Sequence, residues 1–250
     1  IEERLKSNFY NKTEIKSELQ QQIELIELGN TPYQKALEIQ ETLFNQIITV
    51  KRANRQNEIP ALTKNYFLWV EHPPVFTLGK SGKQEHLLLN EDGLKKKGVE
   101  FFTTNRGGDI TFHGPGQIVG YPILDLDNFF TDIHKYLRLL EEMAIMTLKD
   151  YGIEGSRSSG ETGVWLDVDT PFARKICALG VRASRWVTMH GFAFNVNTDL
   201  TYFEGIIPCG IQGKGVTSLA KELGTQVAIE EVKTKLKFHF SNLFEAAFKE

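Results

Sequence analysis

The feature that most constrains the fold of this chain is a glycine-rich segment at residues 105–117, which reads NRGGDITFHGPGQ. An interior glycine weakens a β-strand and costs conformational entropy on folding, so a plain core strand would not carry four of them. Strand-like runs stand on both sides, VEFFTT before the segment and QIVGYPILDL after it. We therefore expect the segment to connect two strands and to keep its backbone bare because something lies close to it.

The residues of this segment leave two interpretations open. It is either a plain glycine-rich hairpin or a loop whose backbone N–H groups approach a ligand, and the flanking Arg106 and His113 favour the ligand. Two common phosphate-binding patterns do not apply. No Gly-Lys-Ser/Thr follows, as a P-loop requires, and the glycine spacing differs from that of the dinucleotide-binding fingerprint.

Hydrophobic periodicity predicts a mixture of helices and strands along the rest of the chain. Helices are expected from Thr31–Pro32 to about Val50, over 131–151 and over 229–248, with Thr31 and Gln34 forming a capping box. Strands are expected in NYFLWVEHPPVFTLG (two, joined by prolines), TGVWLDV, KICALGVRA and VTMHGFAFNVN. The pattern predicts one α/β domain of the α+β type, with a mixed central sheet flanked by helices. We assign residues 1–29 to a polar N-terminal extension, helical over 1–22, and 30–250 to this α/β domain.

Composition narrows the possible functions. The 250 residues carry a net charge of −3, which gives no general electrostatic reason to bind nucleic acid. No apolar run approaches the length of a membrane span, so no membrane partner is expected. The two cysteines do not make a disulfide framework, and the first twenty residues match neither a signal peptide nor an arginine-rich transit peptide. We therefore expect a cytoplasmic protein.

Two cysteines and one lysine are the candidates for chemistry. Cys209 lies in the polar segment IIPCGIQGKGVTSL, which favours a reactive thiol over a structural one. Cys177 lies in an apolar strand pattern and is interpreted as a small core residue. Lys175 taken alone reads as a solvated residue at a strand edge, and His190 as a hydrogen-bonded structural residue. No His, Cys or Asp set has zinc-ligand spacing, so no metal is expected.

Taken together, these segments resemble the lipoyl(octanoyl) transferases, whose motifs occur in the same order over roughly residues 30–245. The segments that carry the resemblance are EHPPVFTLG, RGGDITFHGPGQIVGYPILDL, TGVWL, RKICALGVRASRWVTMHGFAFNVNTDL, FEGIIPCGI and GVTSL. The resemblance implies the fold of the biotin and lipoate protein ligases. It also implies transfer of an octanoyl or lipoyl group from acyl carrier protein to a lysine of a lipoyl domain, in protein lipoylation and lipoate biosynthesis.

The resemblance also implies a set of site residues. Lys175 and Cys209 match the catalytic lysine–cysteine pair of the family. The substrate-contacting residues that carry over are Arg106, Gly107, Gly108, Asp109, Ile110, Thr111, Phe112, His113, Ala178, Leu179, Gly180, Gly191, Phe192 and Ala193.

The implied mechanism is a two-step transfer through a thioester on Cys209, with no ATP, metal or other cofactor. The implied partners are octanoyl-acyl carrier protein, the lipoyl domains of 2-oxoacid dehydrogenase complexes and the H protein of glycine cleavage. Two alternatives stay open: an ATP-dependent lipoate or biotin ligase of the same fold, and a non-catalytic binder of acylated carrier proteins. ATP dependence tests the first, and a covalent adduct on Cys209 tests the second.

Overall fold

The computed structural model describes residues 21–207 and 215–249. Strands in chain order are β1 (Gln21–Asn30), β2 (Asn65–Glu71), β3 (Val75–Leu78), β4 (Glu100–Thr103), β5 (Ile110–His113), β6 (Gln117–Ile123), β7 (Ser156–Ser158), β8 (Glu161–Leu166), β9 (Arg174–Ser184), β10 (Val187–Asn195), β11 (Gly215–Val216) and β12 (Ala246–Lys249). Helices are α1 (Tyr33–Asn54), α2 (Glu91–Lys97), α3 (Ile133–Lys149), α4 (Leu219–Leu223) and α5 (Ile229–Phe244).

A large mixed sheet forms the centre of the fold. Its strand order is β12-β1-β2-β6-β10-β9-β8-β7, and the short β11 pairs with β9. The pairs β12–β1, β1–β2 and β11–β9 are parallel, and the other neighbours are antiparallel. A second sheet, in the order β4-β3-β5, lies beside it and carries part of the glycine-rich segment. This arrangement confirms the predicted mixed α/β class.

Strand alternation buries both faces of the large sheet. In β2, Phe67 and Trp69 join the core that contains α3 and α5, whereas Leu68 and Val70 join the core that contains α1. Successive strand residues point to opposite faces, so an uninterrupted apolar run is what a sheet covered by helices on both sides requires. Helices thus cover both faces of the sheet at its central strands β6, β10 and β9, which contribute many of the residues of the candidate site.

The structure corrects the predicted start of α1. Pro32 occupies the N-cap position without a side-chain cap, and Gln34 donates to Glu38 rather than forming a capping box. The Thr31 hydroxyl donates instead to the Leu28 carbonyl at 2.7 Å, and the Thr31 amide donates to Glu71. Thr31 is therefore hydrogen-bonded to β1 and to β2, and its side chain does not cap the helix. The helix also runs to Asn54, beyond the predicted Val50.

The structure also corrects both ends of the described chain. Residues 21–29 were assigned to a polar extension, but they form most of β1 within the central sheet, so the boundary at residue 30 falls inside the fold. The last helix ends at Phe244 rather than 248, and the following residues form β12 alongside β1. Strand β12 pairs with β1, and β1 pairs in turn with β2, and a local pattern does not show these distant partners. The remainder of the predicted extension, residues 1–20, lies outside the described residues.

None of the helices within the described ranges is long and apolar enough to cross a lipid bilayer.

Candidate active site

A pocket of about 500 Å³ lies where the glycine-rich segment meets β9 and β10. It brings together fourteen of the predicted site residues, although they come from three separate segments. The residues that line it are Arg106, Gly107, Gly108, Asp109, Ile110, Thr111, His113, Lys175, Ala178, Leu179, Gly180, Gly191, Phe192 and Ala193. The two predicted residues not among them are Phe112 and Cys209, and Cys209 lies outside the described residues.

Phe112 is the one described residue that was expected at the site and faces elsewhere. Its ring is buried in the core beneath the small sheet and stacks on Tyr202 with 4.6 Å between ring centroids. In a strand, successive side chains point to opposite faces, and the neighbouring Thr111 and His113 line the pocket. The side chain of Phe112 therefore faces away from the pocket, and its contact with substrate stays a prediction.

The bare backbone of the glycine-rich segment packs against β9. The amide of Gly107 donates to the carbonyl of Val181 at 2.9 Å. A Cβ atom on Gly180 would lie only 2.7 Å from the Gly107 oxygen, closer than real Cβ contacts allow. The glycines thus let two chain segments approach, and Gly107, Gly108 and Gly180 also line the pocket.

The buried side chain of Arg106 fixes the glycine-rich segment by hydrogen bonds. Its guanidinium donates to the Thr77 carbonyl at 2.6 Å, to the Thr77 hydroxyl at 2.9 Å and to the Gly107 carbonyl at 2.9 Å. The residue is only 8% exposed, so these bonds form largely out of water. A planar fork of donors suits such fixed acceptors better than a lysine would. Arg106 therefore fixes the conformation of the loop as well as lining the pocket.

The two histidines of the site are hydrogen-bonded and neutral near pH 7. His113 Nδ1 lies 2.8 Å from Gln117 Oε1, and His190 Nε2 lies 2.9 Å from Asn105 Oδ1. Burial holds the pKa of His113 well below its usual value, and burial together with Arg106 and Arg182 lowers that of His190 to about 3. His190 has φ +58°, a conformation that is uncommon outside glycine. Both rings are thus built into the wall of the pocket.

Two tyrosines and several other polar residues of the pocket were missed by sequence reasoning. Tyr33 and Tyr121 line it, with the Tyr33 hydroxyl 3.0 Å from Thr104 and the Tyr121 hydroxyl 2.8 Å from His72 Nε2. Burial lowers the pKa of His72 to about 4. A tyrosine within the apolar run QIVGYPILDL was the available signal, because a buried hydroxyl needs a partner. Gln117, Glu161, Trp165 and Asn195 also line the pocket.

Lys175 lines the pocket. Its residue type alone had suggested a solvated position at the edge of a strand. Its ammonium is 4.5 Å from the centroid of the Trp165 ring, within the range of a cation–π interaction. Strand β11 runs beside it, with Val216 opposite Lys175 in the register. The tertiary structure therefore gives this lysine a defined position in a partly buried wall.

Cys177 occupies the core, as predicted. It is completely buried, and burial raises the pKa of its thiol far above the usual value, with Glu141 acting in the same direction. A thiol that does not ionise is a poor nucleophile.

No group of three or more His, Cys, Asp or Glu side chains within residues 21–207 and 215–249 is arranged to hold a metal ion.

Comparison with known proteins identifies the family. The model of the lipoyl protein ligase A/B catalytic domain matches residues 32–241. An octanoyltransferase of Flavobacterium johnsoniae is 65% identical over 229 residues, covering 91% of this chain and 99% of that protein. One from Christiangramia forsetii is 62% identical over 232 residues, covering 92% and 99%.

Solved structures confirm the fold. A bipartite lipoate protein ligase from Thermoplasma acidophilum has a TM-score of 0.65 at 19% identity, covering 92% of this chain and 86% of that one. Lipoate-protein ligase A bound with ATP also gives 0.65, at 17% identity, covering 92% and 88%. At such identities the likeness concerns the fold alone. The high identity to octanoyltransferases, with the family match over most of the length, shows that the chain belongs to the lipoyl(octanoyl) transferase family and is an acyltransferase.

Proposed function

We propose that this protein transfers an octanoyl group from octanoyl-acyl carrier protein to a lysine of a lipoyl domain, through a thioester on Cys209. The observation that carries the proposal is the pocket, which joins a bare glycine backbone, an apolar wall and Lys175 in one cavity of about 500 Å³. A cavity of this size is within the range that holds small ligands. The acceptors proposed are lipoyl domains of 2-oxoacid dehydrogenase complexes and the glycine cleavage H protein.

The assignment of the nucleophile rests on contrast between the two cysteines. Cys177 is buried in the core with a raised thiol pKa, so it is unsuited to attack a thioester. Cys209 is the other cysteine of the chain and stands in a polar Pro-Cys-Gly sequence. It also matches the cysteine of the family motif. Cys209 is therefore the proposed nucleophile.

Lys175 is proposed to act in both steps. In the first step its positive charge stabilises the cysteine thiolate, and in the second step its neutral amine accepts a proton. A nearby ammonium stabilises a thiolate and lowers the pKa of a cysteine from about 8.5 into a range of about 3.5–7.5. Once neutral, the same amine can take the proton from the incoming lysine. Its contact with Trp165 and its place beside β11 favour one orientation of its long side chain.

The backbone of β9 supplies a candidate donor to the developing oxyanion. The Val181 carbonyl accepts from Gly107, so Val181 turns its backbone groups towards the glycine-rich segment. The backbone N–H and C=O groups of successive strand residues point to alternate sides. Those of Leu179 therefore point to the same side as those of Val181, and those of Gly180 point to the paired strand β10. We propose the Leu179 amide as the oxyanion donor, a type of contact worth about 3–4 kcal/mol in other enzymes.

The chemistry balances without an energy-rich cofactor. In the first step the bond between the octanoyl carbon and the carrier sulfur breaks, the Cys209 sulfur bonds to that carbon, and the carrier thiol leaves with a proton. In the second step the acceptor amine attacks this carbon, the cysteine sulfur leaves, and the amine loses a proton as the amide forms. Exchange between thioesters is nearly balanced in free energy, and conversion to an amide is downhill.

Intact-protein mass spectrometry tests the proposal. After mixing with octanoyl-acyl carrier protein in the absence of ATP and acceptor, the protein should gain one octanoyl group. Addition of a lipoyl domain should remove that group and acylate the domain. Cys209→Ser should form no such thioester, whereas Cys177→Ala, the matched control, should behave as wild type apart from some loss of stability. A thioester retained in Cys209→Ser, or transfer that needs ATP, would contradict the proposal.

A further inference from the structure

Gly163 in β8 occupies a position that no other residue fits well. Its φ of +128° is rarely adopted by residues with a side chain. A Cβ atom there would lie 2.8 Å from the Cys177 carbonyl oxygen and 3.2 Å from Cε of Lys175. The space left free by this glycine is therefore filled by the stem of Lys175.

A buried carboxylate holds Gly163 in place. Glu141 in α3 is completely buried, and its Oε1 accepts from the Gly163 amide at 3.0 Å. Its Oε2 accepts from Arg138 at 2.7 Å and from Arg157 at 3.0 Å. The two guanidinium groups compensate the charge, and a buried ion that is fully hydrogen-bonded fixes its partners firmly.

The strand pairing next to Gly163 is irregular. Val164 faces Cys177 and Trp165 faces Lys175, so β9 contains one extra residue, Ile176, at this point. A bulge of this kind bends the strand and re-aims neighbouring side chains. Lys175 thus leaves the strand at the bulge, its stem beside Gly163 and its ammonium over Trp165.

From these contacts we propose that Glu141 and Gly163 are positioning residues for Lys175. Glu141 holds the Gly163 amide, Gly163 leaves room for the lysine stem, and the bulge directs the ammonium to the pocket. This inference rests on the function proposed above for Lys175. Neither residue is among those that line the pocket, and both act through the lysine.

Gly163→Ala is the main test, and its effect follows from the distances. The 2.8 Å separation from Cys177 must widen by roughly half an ångström to become an ordinary contact, and this moves β8 away from β9 at Lys175. Since a misplacement of about 1 Å costs about 100-fold in rate, we expect about tenfold slower acylation of Cys209 in single turnover.

A double-mutant cycle separates positioning from plain stability. In a Lys175→Met background, Gly163→Ala should slow acylation by no more than about twofold, because the lysine through which it acts is gone. Gly98→Ala is the matched control. Gly98 follows α2 and also has a positive φ, +63°, but a Cβ atom there meets nothing within 4 Å, so the variant should lower the melting temperature through backbone strain without slowing acylation.

The outcomes are distinct. Equal slowing by Gly163→Ala in both backgrounds, or equal slowing by Gly98→Ala, would overturn the positioning role and leave the proposed function standing. Full activity of Lys175→Met would instead refute the proposed role of the lysine, and the inference with it. If Gly163→Ala does not fold, Glu141→Gln is measured in the same two backgrounds. Slower acylation only where Lys175 is present supports the proposal, and equally slow acylation in both backgrounds overturns it.

Discussion

Acid should destabilise this protein before its carboxylates titrate, because buried neutral histidines lie in the pocket wall and directly behind it. His72 and His190 are 0% and 1% exposed, and burial lowers their pKa values from 6.5 to about 4 and about 3. His113 shifts in the same direction for the same reason. The unfolded chain exposes these rings to water and binds protons at pH values where the folded protein does not. Stability is therefore fully present above pH 6.5 and falls as the pH drops towards 4 and 3.

The size of the effect follows from proton linkage. A group that is protonated only in the unfolded state changes the free energy of unfolding by about 1.4 kcal/mol per pH unit. Between pH 7 and pH 5 this amounts to about 2 kcal/mol for each of His72 and His190, so about 4 kcal/mol for the pair. Because a domain is stabilised by only about 5–15 kcal/mol in total, the loss should be large enough to measure easily.

Urea unfolding at pH 7.5, 6.5, 5.5 and 5.0 measures this slope. His72→Gln should reduce it by about one proton, since the variant no longer binds a proton at this position on unfolding. His134→Gln is the control, because His134 is exposed on α3 and is not part of the buried histidine cluster. A free energy of unfolding that is flat from pH 7 to pH 5, or an equal effect of the two variants, would refute the reasoning.

Two further predictions concern the arginines around the pocket. Arg106→Lys should lower the free energy of unfolding, measured in urea, by about 3 kcal/mol. One ammonium cannot replace the three hydrogen bonds to Thr77 and Gly107, and hydrogen bonds from charged groups contribute about 1.5–3 kcal/mol each. A loss under about 1 kcal/mol would mean that the loop does not depend on the guanidinium group. Arg185→Glu should slow association with an acidic carrier protein in stopped-flow measurements, most strongly at low salt, and leave a small octanoyl thioester unaffected, because Arg185 is exposed at the β9–β10 turn. Equal loss with both substrates would exclude a docking role. The neighbouring Arg182 is a poorer candidate for docking, because its guanidinium lies 5.1 Å from the centroid of the Phe44 ring.

Local patterns were sufficient to predict most elements of this fold. The strands β6, β9 and β10 and the helix α3 follow from periodicity, because the burial of each residue depends on the repeat of its own element. The buried position of Cys177 follows from the same pattern. The glycine-rich segment could be recognised as a place of close approach from its composition, although its β9 neighbour could not be named.

The sequence by itself thus determined most of the elements, the family motifs and the candidate residues for the chemistry. Only the tertiary structure decided three further points. Lys175 lies in the pocket wall, the Phe112 side chain faces away from the pocket, and residues 21–29 pair in the central sheet. These outcomes depend on partners distant in the chain: the amide of His190, for example, donates to Gln40, 150 residues away. The same packing lowers the pKa of that histidine, since desolvation depends on everything that surrounds the ring. Short-range sterics select helix or strand, but burial, bulges and proton affinity arise only when the elements pack together.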